Sequence, residues 1–317
     1  MRRILHKVLW LTAMVVLAVV CAACSTGIEG TKTIKMSAAD RRALEATPEE
    51  LFVKNLHGTP LSAWPVGKQF LVADNRASYL FDASSLATAG VDSLRGARVS
   101  FDGTQLRRLP SGNDELLLRF RLGGHTLLYP TGLSPEKAAD KVASSNVPML
   151  IDLALVQRAD SLLHGCTLYT RSLIWYDSIG QPISGRKYVP VKVDCVMPGD
   201  MVFPLAVHFH DSSSRPAMLL MNLPEASGSG VESRSFRNLF TLSDPKEKYP
   251  SILPEIWDAI CDGHVRNGMT KDECRLAIGN PADSQSGHDW NSTIDIWSYP
   301  DGTFLRFQDG ILVDRHN

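Results

Sequence analysis

Cysteines are the most reactive side chains of the 317-residue chain, which has six of them. Cys166 and Cys195 lie at equal distances from a turn predicted near Gly180, and Cys261 and Cys274 flank the link between two predicted helices symmetrically. Elements that fold back on a turn bring such residues together, so each pair is a candidate disulfide that would add about 3 kcal/mol of stability. A one-residue bulge would turn Cys166 to the wrong face, and Cys274 equally fits a buried thiol, so both interpretations stay open.

Two histidines form the best candidate metal site. His208 and His210 are two residues apart in a predicted strand and so share a face, with Asp211 adjacent. A metal would need a third ligand from elsewhere, for example His125 or His164. The alternative is two exposed histidines on a solvated face. We favour this second interpretation and predict neither a metal nor a cofactor.

Common catalytic motifs do not occur in the chain. It has no His-Glu-x-x-His, no Gly-x-Ser-x-Gly, no P-loop and no Gly-x-Gly-x-x-Gly after a strand. We therefore predict that the protein is not an enzyme. Tryptophans fit either a ligand-binding cleft or buried cores, and the second is the more usual place for them; they are Trp64, Trp175, Trp257, Trp290 and Trp297.

The N-terminal 24 residues have the pattern of a secretory signal. Arg2, Arg3 and Lys7 precede an apolar run from Val8 to Val20, which is too short to span a membrane. The run ends in Cys21-Ala22-Ala23-Cys24, which resembles a bacterial lipobox, with cysteine at the first position where leucine is usual. The resemblance implies that Cys24 is acylated and anchors the protein to a membrane.

The residues after Cys24 bear on localisation. Ser25 after the acylated cysteine resembles an outer-membrane sorting signal, and no acidic run follows, so we prefer a periplasm-facing protein to a surface-exposed one. That compartment is oxidising, which permits disulfides.

Three of the 33 Lys and Arg residues lie in the signal, which leaves 30 basic residues against 34 acidic ones and no basic block. Nucleic acid is therefore not an expected partner.

The remaining chain divides into four segments. Residues 25–46 are predicted to form a tether with a short helix, 47–132 a first α+β module, 133–245 a second one, and 246–317 a C-terminal domain. Each module combines a helix that ends in His-Gly with short strands separated by turns. We predict an α+β, β-rich fold in which the two modules are antiparallel sheets, with SH3-like barrels or rolls as one possibility.

The C-terminal segment has the clearest local pattern. Thr270 and Glu273 form a capping box, so a helix is predicted to begin at Lys271, and Gly279 suits its left-handed end. A second helix is predicted over 254–261. Turns at Pro-Asp-Gly and Gln-Asp-Gly separate short β-forming runs, which predict a three-stranded meander.

This order of elements resembles a known family over residues 253–317. The shared features are the Gly-Met-Thr turn, the Leu-Ala-Ile-Gly-Asn-Pro stop, the Trp-x-Tyr strand and the Phe-x-Asp-Gly turn. They are similar to the SmpA/OmlA (BamE-like) family of outer-membrane lipoproteins. The resemblance implies an ααβββ domain, and the best-known member of that family is an accessory of β-barrel assembly.

Three hypotheses for function follow. The first is a non-enzymatic envelope lipoprotein that acts as an assembly or protein-interaction module with an envelope protein partner. The second is a periplasmic or surface binding protein for a small ligand, a glycan or peptidoglycan. The third is a hydrolase with an unrecognised site. We favour the first, because the chain combines a modular β-rich pattern with no catalytic motif.

Overall fold

The structure is a computed structural model that describes residues 48–89, 93–223, 234–289 and 292–316. These residues belong to one compact unit, Thr47–Asn317. Within the described ranges the chain forms eight α-helices and 16 strands in three antiparallel sheets, one of them curled into a half-barrel. The predicted α+β, β-rich fold class is confirmed. The predicted signal peptide (1–24) and tether (25–46) lie outside the described residues.

The helices are short and are distributed along the whole chain. They are α1 Pro48–Lys54, α2 Ala83–Ala89, α3 Pro135–Lys141, α4 Leu153–Leu163, α5 Phe236–Leu239, α6 Pro245–Lys248, α7 Pro254–Cys261 and α8 Lys271–Ile278.

The first sheet has five strands in the order β4-β3-β2-β1-β5, and the second has seven in the order β12-β6-β9-β10-β11-β7-β8. The strands of the first are β1 Gln69–Val72, β2 Arg98–Arg108, β3 Asp114–Leu122, β4 His125–Pro130 and β5 Leu150–Asp152. Those of the second are β6 Thr167–Thr170, β7 Ile174–Tyr176, β8 Pro182–Ser184, β9 Pro190–Pro198, β10 Leu205–Asp211, β11 Pro216–Met221 and β12 Phe240–Thr241. The third sheet is a meander in the order β13-β14-β15-β16, with β13 Asp283–Asp289, β14 Ser292–Ser298, β15 Phe304–Gln308 and β16 Ile311–His316.

Each sheet has its own hydrophobic core, but the cores do not follow the predicted module boundary at 132/133. Ala138 and Leu150 pack in the core of the first sheet. Phe52 of α1 and Leu56, two residues after that helix, pack in the core of the second sheet, where the Phe52 ring lies 4.2 Å from that of Phe236. The first part of each predicted module therefore packs in the core of the other module.

The start of α4 is set by the strand before it. Residues 150–152 pair with β1, and the helix begins at Leu153. Asp152 has two roles at this junction. One of its carboxylate oxygens accepts a hydrogen bond from Ala154 N at 3.0 Å and caps α4, and the other lies 2.8 Å from Lys68 Nζ. This buried ion pair joins the first sheet to the helix of the second core.

The C-terminal domain has the two predicted helices and one more strand than predicted. The capping box at Thr270 and Glu273 is present, and α8 begins at Lys271. Gly302 and Gly310 take positive φ at the two predicted turns. Residues 283–289, which precede the predicted meander, form β13, so the domain is ααββββ. The strand has no apolar alternation because it lies at the sheet edge, where residues 283–288 are exposed.

Candidate functional site

All four cysteines in the described part of the chain are free thiols. The predicted Cys166–Cys195 bridge is not present, because Thr167 pairs with Lys192 and the register continues so that Val193 N donates to Cys166 O at 3.0 Å. Cys166 therefore faces Val193, two residues from Cys195. The observed midpoint between the paired residues lies one residue before the predicted one. The residue opposite Cys166 is therefore Val193, two positions before Cys195.

The predicted Cys261–Cys274 bridge is also not formed. Both side chains are buried in the core of the third sheet. Burial and the nearby Glu273 raise the pKa of the Cys274 thiol to about 12, so it is protonated at neutral pH. The structure therefore favours the alternative that Cys274 is a buried core thiol.

One cysteine lies opposite a histidine, which the sequence did not indicate. Cys195 and His208 are direct partners in the ladder between β9 and β10 and so lie on the same face. A nucleophilic cysteine needs a lowered pKa and a protonated histidine beside it. Here burial, Asp160 and Asp194 raise the pKa of Cys195, and burial lowers the pKa of His208. Both groups are neutral at pH 7, and this pair is poorly suited to nucleophilic catalysis.

The candidate metal ligands do not converge. His210 Nδ1 lies 2.7 Å from Asp194 Oδ1, and Asp211 accepts hydrogen bonds from Ser213 N and Arg215 N in the following turn. His125 is in β4 of the first sheet, and His164 follows α4. Among the described residues, no group of three or more His, Cys, Asp or Glu side chains is arranged to hold a metal ion.

The tryptophans belong to cores. Those of the described residues are buried in all three: Trp64 in the first, Trp175 in the second, and Trp257 and Trp297 in the third. Trp290 lies outside the described residues. The interpretation as a single ligand cleft is therefore wrong for these four side chains.

An exposed apolar surface lies on the third sheet, on the side away from α7 and α8. Trp297, Leu305 and Phe307 face the helices and are buried. Alternation along the strands places Ile296 and Phe304 on the opposite side, where they are 43% and 48% exposed. Ile311, 40% exposed, is paired with Gln308 on the same side. We call these three residues, Ile296, Phe304 and Ile311, the outer face.

The outer face could have been found from the sequence. Both β14 and β15 carry apolar residues at odd and even positions, as in Ile294-Asp295-Ile296-Trp297 and Phe304-Leu305-Arg306-Phe307. A strand that is buried on one side only is expected to be polar on the other. Apolar residues on both sides therefore indicate a second contact surface.

The third sheet is held firmly against the second by the segment before β9. Tyr188 takes a positive φ of 54° and inserts its ring into the C-terminal core, 6.1 Å from that of Trp257. Lys187 Nζ donates to Ala277 O at 2.8 Å, near the C-terminal end of α8, where a positive charge is favourable. Arg186 Nε lies 2.6 Å from Asp262 Oδ1. These contacts fix the orientation of the outer face.

A cavity of about 300 Å³ lies between α1, α5 and the end of β11. Its apolar lining is formed by Val53, Leu56, Met221 and Phe236. The charged lining residues are Glu50, Lys54 and Arg237, and Arg237 donates to Glu50. This volume is at the lower end of the range for small-molecule sites.

Cys24, the predicted lipidation site, lies outside the described residues. In the described ranges no helix has the length and apolar character needed to cross a membrane. No family model matches the chain, and neither a curated protein nor a solved structure matches it. The resemblance of residues 253–317 to the SmpA/OmlA family therefore remains a prediction.

Proposed function

We propose that the protein is a bacterial envelope lipoprotein, anchored through acylated Cys24 to the outer membrane and facing the periplasm, that acts as a non-enzymatic protein-interaction module. The signal pattern and the Cys21–Cys24 motif support the anchor. The outer face supports the interaction role. It is the observation that carries the proposal.

The outer face has the properties of a contact surface. Its three large apolar side chains are 40–48% exposed on one side of a sheet that α7 and α8 cover on the other side. Burying a Phe or Ile side chain completely contributes about 1.5–3 kcal/mol, so a partner would gain substantially by covering them. Arg306, paired with Ile296, adds a charged group beside the apolar ones.

The catalytic hypothesis receives less support from the described residues. Cys195 and His208 have pKa shifts opposite to those that activate a thiol. His210 Nδ1 is within hydrogen-bond distance of Asp194 Oδ1, and Asp211 accepts hydrogen bonds within a turn. A hydrolase would need converging titratable groups in a deep pocket.

Site-specific photocrosslinking in intact bacterial cells tests the interaction role. A photoreactive residue at position 296 is expected to capture one envelope protein. The matched control is position 179, an isoleucine that is 79% exposed in the turn between β7 and β8. Capture at 296 and not at 179 is the expected result, and Ile296→Asp should abolish capture from position 304. The proposal fails if positions 296 and 304 capture no protein.

Binding of a small amphipathic anion is a second candidate function, which the cavity beside α1 favours. Its lining is apolar, and Lys54 adds a positive charge at the edge. Laurate is a suitable probe. Calorimetry should detect its binding, with at least tenfold weaker affinity in Lys54→Glu and less than twofold change in the exposed control Lys248→Glu. Absence of heat from laurate in the wild-type protein would eliminate this candidate.

A further inference from the structure

Strand β13 is a sheet edge that none of the described residues covers. It pairs with β14 over seven residues, from Asp283↔Ser298 to Asp289↔Ser292. On its other side, no hydrogen bond from the described residues reaches its backbone. Every second residue of an edge strand points its N–H and C=O groups outward, so β13 presents a row of main-chain donors and acceptors.

The other edges of the three sheets are covered or very short. Leu128 of β4 accepts from Asp82 N at 2.7 Å and donates to Ser85 Oγ at 3.1 Å, so the segment containing α2 covers that edge. Leu312 of β16 accepts from Gly268 N and donates to Met269 O, both at 2.8 Å. The remaining edges, β5, β8 and β12, have two or three residues.

The side chains of β13 do not form a binding pocket of their own. Residues 283–288 are all exposed, and none of them is a large apolar residue. The side chain of Ser286 is hydrogen-bonded to β14, since its hydroxyl donates to Asp295. Recognition at this edge must therefore rest mainly on backbone hydrogen bonds, which are available only to a ligand in an extended conformation.

We propose that β13 is the docking edge for an extended segment of the protein partner, which adds to the third sheet as a fifth strand. This inference rests on the proposed interaction function and specifies its mode. The new strand would lie about 4.8 Å from β13. Gln285, the neighbour of Ile296 in the sheet, would then connect the added strand to the outer face, so one partner could contact both.

A second copy of this chain fits the edge less well. Residues 283 and 289 are both aspartates, at opposite ends of β13. Antiparallel pairing of two copies around Ser286 would place each aspartate opposite another, which is unfavourable. A partner segment with Lys or Arg at its ends would have complementary charge.

Crosslinking and hydrogen exchange together test the added strand. Photoreactive residues at 285 and 296 are placed separately in the full-length protein in intact cells, and each is expected to capture the same envelope protein. Hydrogen–deuterium exchange is then measured on the purified chain with and without that protein. Alternate amides of 283–289 should exchange at least tenfold more slowly in the complex, while those of β8 in the second sheet are unchanged.

The outcomes separate this inference from the proposed function. Capture at 296 alone, or a complex in which β14 and β15 are protected and β13 is not, overturns the added strand and leaves the interaction role intact. Self-association of the purified chain with protection of β13 also overturns it, because the occupant is then a second copy. If positions 285, 296 and 304 all capture no protein, both proposals fail. Gln285→Ala is the matched control, since backbone recognition predicts less than twofold loss of partner affinity.

Discussion

Lys68 Nζ lies 2.8 Å from Asp152 Oδ2, and the two side chains are only 6% and 3% exposed. Both residues lie at the first sheet, Lys68 just before β1 and Asp152 at the end of β5, and Asp152 also caps α4, which packs in the second core. An ion pair of this kind is sensitive to loss of one partner, because the remaining charge stays buried without compensation. Through the Asp152 cap, loss of Lys68 would also act on the start of α4.

We expect Lys68→Met to reduce the free energy of unfolding by about 3–5 kcal/mol, since it leaves the Asp152 carboxylate buried and unpaired. Lys68→Met/Asp152→Asn should recover much of this loss, because the amide is neutral and its oxygen still caps α4. Urea denaturation measures both variants. Arg108→Met is the control, since the Arg108–Asp114 pair is exposed and should contribute less than about 1 kcal/mol. Equal effects of Lys68→Met and Arg108→Met would contradict the prediction.

Asp295 should give the domain a pH-dependent stability on the acid side. Hydrogen bonds from Lys271 and Ser286 lower the pKa of its carboxyl in the folded state. The stabilisation is therefore fully present above the unfolded value, about 3.9, and is lost as the pH falls through the lower folded value. Thermal unfolding between pH 2 and 7 should show wild type more stable than Asp295→Asn near neutrality, with the difference shrinking below about pH 4. A pH-independent difference would contradict this.

The four cysteines after the signal should behave as free thiols of unequal reactivity. Cys166 and Cys195 are half-buried, whereas Cys261 and Cys274 are buried. With a pKa of about 12, Cys274 should have only roughly one thiolate in 10,000 molecules at pH 8. Iodoacetamide should label it only after unfolding, as peptide mass spectrometry can detect. A Cys166–Cys195 or Cys261–Cys274 bridged peptide under non-reducing conditions would contradict the prediction.

Gly263 should tolerate substitution less well than Gly268. Both have positive φ, so alanine at either position should cost about 1–2 kcal/mol of backbone strain. A Cβ at 263 would also lie 2.2 Å from Leu173 Cδ1, while nothing lies within 4 Å of one at 268. We expect the free energy of unfolding of Gly263→Ala to be lower than that of Gly268→Ala by about 1–3 kcal/mol, a loss typical of overpacking. Urea denaturation measures both values. Equal losses would show that Leu173 moves aside freely.

Cys24→Ser should release the protein from the membrane, because the hydroxyl cannot replace the thiol that is acylated. Cell fractionation should find the wild type in the membrane fraction and the variant outside it. Cys21→Ser is the control and should remain membrane-bound, since that residue precedes the predicted cleavage site. Retention of Cys24→Ser in the membrane fraction would refute the lipid anchor.

Features set by nearby residues were predictable from the sequence. The Thr270–Glu273 box and the glycines at 302 and 310 act within a few residues of themselves, and the elements they define lie where expected. Features set by distant contacts were not predictable. Phe52 packs with Phe236 across most of the chain, and β13 has no apolar alternation because it is an edge strand whose residues 283–288 are exposed. The Cys195–His208 pairing depends on a register that a single bulge shifts.

Tyr188 has a consequence for how the chain may be divided. A fragment that begins at residue 246 would contain both helices and all four strands of the C-terminal domain, yet it would lack the aromatic ring that fills its core beside Trp257. It would also lose the ammonium group of Lys187 from the end of α8. The excised domain would therefore have a cavity in its core where the intact chain has the Tyr188 ring. Its smallest self-sufficient form must carry the segment around residues 186–189 with it.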